Sequence, residues 1–190
     1  MPSQTPTTAP SSATPTPTPT ATVSAPATKP ALSTLVLSPE GLGPIVIGQA
    51  IESLPPDLAV AVFDDTFCDF GDSGDHGGWK PNYDLTSDGH WAFLPEGAAT
   101  ASDPVTNLTV QSTEIRTASG IGIGSTVAEV KNAYKNLQSI SSFDFTGYSI
   151  PGTKGQLVLW FDGQTDTVTN VEVLESGVTP EFRFEIGGCA

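Results

Sequence analysis

The sequence predicts an α+β protein: two fused copies of a helix-plus-antiparallel-sheet unit behind a disordered Pro/Thr-rich tether. Three observations predict it. A short pattern occurs twice, as Ile45-Val46-Ile47-Gly48-Gln49-Ala50-Ile51-Glu52-Ser53-Leu54 and as Ile121-Gly122-Ile123-Gly124-Ser125-Thr126-Val127-Ala128-Glu129-Val130. Aligning Ile47-Gly48 with Ile123-Gly124 also aligns Ile45 with Ile121, Ile51 with Val127 and Leu54 with Val130, which is the mark of an internal repeat. Each copy is followed by short stretches of period-two hydrophobicity, the pattern of half-buried strands. The first 31 residues are almost entirely Pro, Thr, Ser and Ala, with too little apolar surface to offset the entropy of ordering. The expected organisation is therefore a tether over 1–31, a first unit over 32–112 and a second over 113–190.

The tether reads as an extended, polyproline-like spacer that reaches roughly 90 Å at about 3 Å per residue. In the first unit, Thr34 to Leu37 is a strand, closed by Ser38-Pro39-Glu40-Gly41, and Pro44 to Ile47 is a second. Gln49 to Leu54 starts a helical turn that Pro55-Pro56 stops, because proline removes a backbone donor and clashes with the preceding turn. Residues 64 to 90 are loop-rich, above all the Gly- and Asp-rich run from Asp64 to Gly78, and Leu58 to Phe63, Trp79 to Tyr83, His90 to Leu94 and Val105 to Gln111 are the further strands.

The second unit carries the clearer helix signal. Thr126-Val127-Ala128-Glu129 is a capping box, in which a Thr side chain and a Glu three residues later satisfy each other's free backbone donors. Val127, Val130, Tyr134 and Leu137 then share one helical stripe, and the expected helix runs from about Val127 to Gln138. Strands follow at Phe143/Phe145, at Leu157/Leu159/Phe161 and at Thr169/Val171/Val173, the last two joined by a hairpin loop over Asp162 to Asp166. Phe182, Phe184 and Ile186 alternate in a final strand.

The segment Ser119 to Tyr134, with its Gly, Thr cap and Glu-Val, resembles the repeat of beta-lactamase inhibitory protein and of small outer-membrane assembly lipoproteins. Joined to Leu42-Gly43-Pro44-Ile45-Val46-Ile47-Gly48 and a Thr/Pro-rich tether, it also resembles uncharacterised exported actinobacterial lipoproteins. The resemblance implies a structural module and carries over no inhibitor contact residue, since the matching residues are structural.

Composition restricts the function. Seven Lys and Arg stand against 21 Asp and Glu, a formal charge of −14. A surface of that sign repels nucleic acid and anionic membranes, so neither is expected as a direct partner. The chain contains no apolar run of membrane-spanning length and no secretory apolar region, so no direct membrane insertion is expected of it. A cytosolic chain and an exported one whose signal segment is absent both fit its first residues. The tether favours the exported form, at the cell surface or outside it. Cys68 and Cys189 lie far apart without metal-ligand spacing, and one disulfide is their simplest use.

Candidate chemistry is sparse. Asp64, Asp65, Asp69, Asp72 and Asp75 offer the oxygens calcium needs, but not at EF-hand spacing, and a solvated acidic loop is the plainer reading. His76, His90 and Cys68 match no closed zinc site. Gly120 to Gly124 precedes a helix without the Lys of a phosphate loop. Trp79, Tyr83 and Trp91 sit on neighbouring expected strands: either they are core, or they form an anchor patch for a protein or cell-wall glycan. The reading reached is an exported, surface-tethered, non-enzymatic binding or scaffolding module of the cell envelope, with no metal and no cofactor. The alternatives are an inhibitor of an extracellular hydrolase and a calcium-binding surface protein.

Overall fold

Strands β1 (Val36–Ser38), β2 (Gly41–Leu42) and β3 (Ile45–Val46) form a tight meander near the start of the described chain. A computed structural model provides the structure, and it describes residues 1, 29–54, 58, 60–68 and 76–183, with Cys68 and His76 described by their backbone alone. Residues 2–28 of the expected tether and the strand positions Phe184 and Ile186 lie outside the described residues. A 3-10 turn at Ile51–Ser53 follows the meander. Next come the hairpin of β4 (Ala61–Cys68) and β5 (His76–Pro81), then β6 (Phe93–Glu96), β7 (Asn107–Val110) and β8 (Arg116–Thr117). The helix α1 (Val127–Ala133) precedes β9 (Gln138–Ser142), β10 (Phe145–Pro151), β11 (Gly155–Asp162) and β12 (Thr167–Glu175).

This arrangement corrects the expected fold of two helix-plus-sheet units. The protein is mostly β, in three sheets, with a single α-helix among the described residues. The sheets do not divide between the two halves of the chain. A four-stranded sheet of order β3-β2-β1-β8 takes its last strand from the second half, through parallel pairing of Val36 with Arg116 and Leu37 with Thr117. An antiparallel six-stranded sheet of order β6-β7-β12-β11-β10-β9 takes its first two strands from the first half. No α-helix follows the first Ile-Gly; the 3-10 turn at Ile51–Ser53 stands in its place, just ahead of the two prolines.

The two Ile-Gly turns themselves share a local geometry. Gly48 and Gly124 have φ of +80° and +85°, where an L side chain is strained. The Gly48 N–H donates to the Val105 carbonyl at 2.7 Å, and Val105 N–H returns a bond to Gln49 at 3.1 Å. The Gly124 N–H donates to Val168 at 2.8 Å, and Val168 N–H returns to Ser125 at 2.8 Å. The turn thus hooks the chain onto a later strand or its approach in both places.

The helix is shorter than the stripe suggested. The capping box forms as expected: Glu129 N–H donates to Thr126 Oγ1 at 3.2 Å and Thr126 N–H to Glu129 Oε2 at 2.7 Å. The chain leaves the helix at Tyr134, whose backbone is extended. The reason is tertiary. Residues from Gln138 onward are drawn into β9, which pairs with β10 from Ser149↔Gln138 to Phe145↔Ser142; seven residues of helix are too few to hold out against that ladder.

The main core lies between the four-stranded sheet, the inner face of the six-stranded sheet, the β4–β5 hairpin and α1. It gathers Leu37, Leu42, Ile45, Ile47, Trp79, Phe93, Leu108, Val130, Leu157, Leu159 and Val171. Glu40 adds a polar link: its carboxylate accepts N–H bonds from Thr153 at 2.5 Å and Lys154 at 2.9 Å, in the turn between β10 and β11. Those two bonds hold its pKa below the usual carboxylate value.

Candidate functional site

The aromatic trio is not brought together on one exposed face. Trp79 is buried in the main core, with Phe63 against it edge-on at 5.4 Å. Tyr83 is half-buried, packs edge-on against Phe93 at 5.8 Å, lies under the Lys29 ammonium at 4.6 Å and donates its hydroxyl to Pro30 O at 2.8 Å. Its pKa is raised by burial. Trp91 packs edge-on against Phe67 at 6.1 Å, with Lys80 5.4 Å above its ring. Each ring therefore has an intramolecular partner.

Of the acidic loop, Asp64 accepts at Oδ1 from the N–H and hydroxyl of Thr66, at 3.0 and 2.8 Å, and these bonds lower its pKa. Asp69, Asp72 and Asp75 lie outside the described residues, as does Cys189, so neither a calcium site nor the Cys68–Cys189 bond is visible. His90 is exposed, its backbone closing a turn with Thr86 at 2.8 Å.

Two other features stand out. The first is an open cleft of about 560 Å³ between the Gly120–Gly124 turn and α1, lined by Arg116, Ser119, Ser125, Glu129 and Asn132. Its charged groups are engaged by the chain itself. The Arg116 guanidinium donates to Gly120 O at 3.1 Å, Ser125 Oγ at 3.3 Å and Ile123 O at 3.4 Å. Glu129 is held by the Thr126 backbone and hydroxyl, which depress its pKa. The Gly-rich segment is therefore a rigid rim on the cleft. It is no phosphate loop, since its nearest cation already binds three oxygens.

The second is on the outer face of the six-stranded sheet, turned away from the main core. Strand register sets Thr109, Glu172 and Val158 side by side, with Glu96, Asn107 and Leu174 in the adjacent row. Glu96 is buried and accepts from Asn107 Nδ2 at 2.9 Å, from Thr109 Oγ1 at 3.1 Å and from Arg183 Nη1 at 2.8 Å. Glu172 is 1% exposed, and neither of its carboxyl oxygens has a hydrogen-bond partner among the described residues. Desolvation pushes its pKa up to about 7; Arg183 opposes the rise, the Glu96 carboxyl adds to it, and the nearby Trp160 indole N–H, which falls short of a hydrogen bond, opposes it least. Sequence reasoning missed this cluster. Its one signal was an acidic residue, Glu172, inside the expected strand of Thr169, Val171 and Val173.

No protein-family description matches the chain, and no curated protein resembles it. Among solved structures it is similar to an extracellular protein containing a SCP domain from Bacillus anthracis str. Ames, at 16% identity and a TM-score of 0.42. That likeness covers 68% of this chain and 44% of the other, so this chain spans under half the length of its structural neighbour.

Proposed function

We propose that this protein is an exported, surface-tethered, non-enzymatic module that binds a protein or glycan of the cell envelope. The observation that carries the reading is the cleft beside α1. It is open and largely polar, and its two charged side chains serve to hold its walls: Arg116 ties the Gly120–Gly124 turn together and Glu129 caps the helix. A group engaged in this way shapes a surface and is poorly placed to move protons or attack a substrate. A polar rim of Ser119, Ser125 and Asn132 suits hydroxyl- and amide-bearing ligands. The Pro/Thr composition of residues 1–31 supports a spacer role, and the charge of −14 favours a neutral or cationic partner.

The experiment is binding of the purified chain to isolated cell-wall glycan and, separately, to an array of envelope proteins, each compared with Asn132→Trp. The bulky ring should fill the cleft and weaken binding by about tenfold or more, roughly 1.4 kcal/mol, at an unchanged melting temperature. Equal binding by the variant, or no binding to either class, overturns the proposal.

A further inference from the structure

The outer face of the six-stranded sheet is covered in part by the chain that follows β12, through specific side-chain contacts. Phe182 stacks on Phe145 with ring centroids 3.5 Å apart and planes 4° from parallel, and meets Trp160 edge-on at 5.7 Å. Arg183 reaches back to Glu96. The carbonyl of Val178 accepts from Gln156 Nε2 at 2.6 Å. Residues 178–183 belong to no strand or helix, so side chains and single hydrogen bonds hold the segment in place, with no continuous ladder behind them.

Beneath this cover sits Glu172. The groups that face it are Glu96 on β6, Asn107 and Thr109 on β7, Val158 and Trp160 on β11 and Arg183 on the covering segment. Two carboxyl groups thus share one guanidinium, and that guanidinium already bonds Glu96 at 2.8 Å. A protonated Glu172 is compatible with such a site. An ionised one leaves a buried carboxylate with no hydrogen bond and a like charge nearby, which proteins avoid by taking up a proton or by letting water in. Residues 178–183, which carry no strand or helix, are the part of the cover able to move aside for water.

We propose that residues 176–183 form a pH-sensitive strap, seated on the outer sheet face while Glu172 holds its proton and released when Glu172 ionises. The sign follows from linkage. With the strap open, Glu172 is solvated and titrates near its ordinary value of 4.5; with the strap closed it titrates at about 7. Below the lower value both states are protonated and the closed state is not penalised. As pH rises between the two, the open state sheds its proton first, and the closed-to-open ratio falls by up to tenfold per pH unit. Above the upper value the fall is complete, at roughly 300-fold. Release uncovers Trp160, Val158 and Leu174, an apolar patch able to receive a partner.

Hydrogen exchange on the full chain between pH 5 and 8.5, expressed as protection factors so that the intrinsic pH dependence divides out, tests the strap. Residues 176–183 should lose protection by about tenfold or more over this range. Peptides from β11 should stay protected. In Glu172→Gln, which cannot ionise, the strap should remain protected throughout; Glu172→Met serves the same purpose if the Gln variant folds poorly. Constant protection of the strap in the wild type, an undiminished pH response in the variants, or simultaneous loss of protection in β11 each overturns the proposal.

Discussion

Val130 shows how a single position connects the repeat pattern to the packed core. It lies on α1, is fully buried and joins the main cluster with Leu157 and Val171 from the six-stranded sheet. Two methyl groups removed from such a site leave a cavity that rigid strands cannot close. Val130→Ala should therefore destabilise the protein by about 1 to 3 kcal/mol, read as a lower denaturant midpoint at unchanged slope. A neutral result would mean that α1 does not hold its place against the sheet. Gly124 and Gly48 show the other kind of legible residue: their positive φ is demanded by the turn, and Gly is the residue that meets the demand without strain. Glu172 was not legible. Nothing in Asn170-Val171-Glu172-Val173 distinguishes an acidic residue on a solvated face from one that a distant segment will cover.

At the scale of elements, α1 depends on its cap more than most helices do, because seven residues give little intrinsic stability. Thr126 Oγ1 accepts the Glu129 N–H at 3.2 Å, and Thr126 also bridges to Thr167 on β12 through an isolated strand pair. Thr126→Ala should cost about 0.5 to 2 kcal/mol of stability and loosen the cleft wall that Glu129 and Asn132 supply. Thermal unfolding checks the first effect, and exchange of the α1 amides checks the second. Thr126→Ser, which keeps the cap, should restore most of the loss. Helix existence and its start were readable from four residues; its end was not, because β9 is recruited by pairing with β10 and local propensity has no information about that partner.

For the whole molecule, the expected Cys68–Cys189 disulfide is the strongest long-range constraint the sequence suggests. It would close a loop of about 120 residues and contribute up to roughly 4 to 5 kcal/mol by restricting the unfolded chain. The non-reduced protein should then weigh about 2 Da less than the reduced one, the mass of the two thiol hydrogens lost when the bond forms. Reduction should lower the melting temperature. Two thiols titratable under denaturing, non-reducing conditions would exclude the bond.

What the sequence determined by itself were local features, namely the strands of β11 and β12 and the loop between them, the capping box and the two Ile-Gly turns, and compositional ones, namely the acidic charge and the distinct N-terminus. Tertiary structure decided how these were partitioned. It placed β8 beside β1 and carried β6 and β7 into the sheet of the second half, replacing two repeats with interleaved sheets. It buried Trp79, and it assembled the cleft and the Glu96–Glu172–Arg183 cluster from residues up to 87 positions apart. The physical reason is that strand pairing is non-local. A strand's alternation records that one face will be buried, but the hydrogen-bonding partner is chosen by the packing of the whole chain, and the burial of a side chain such as Glu172 depends on what that packing lays over it.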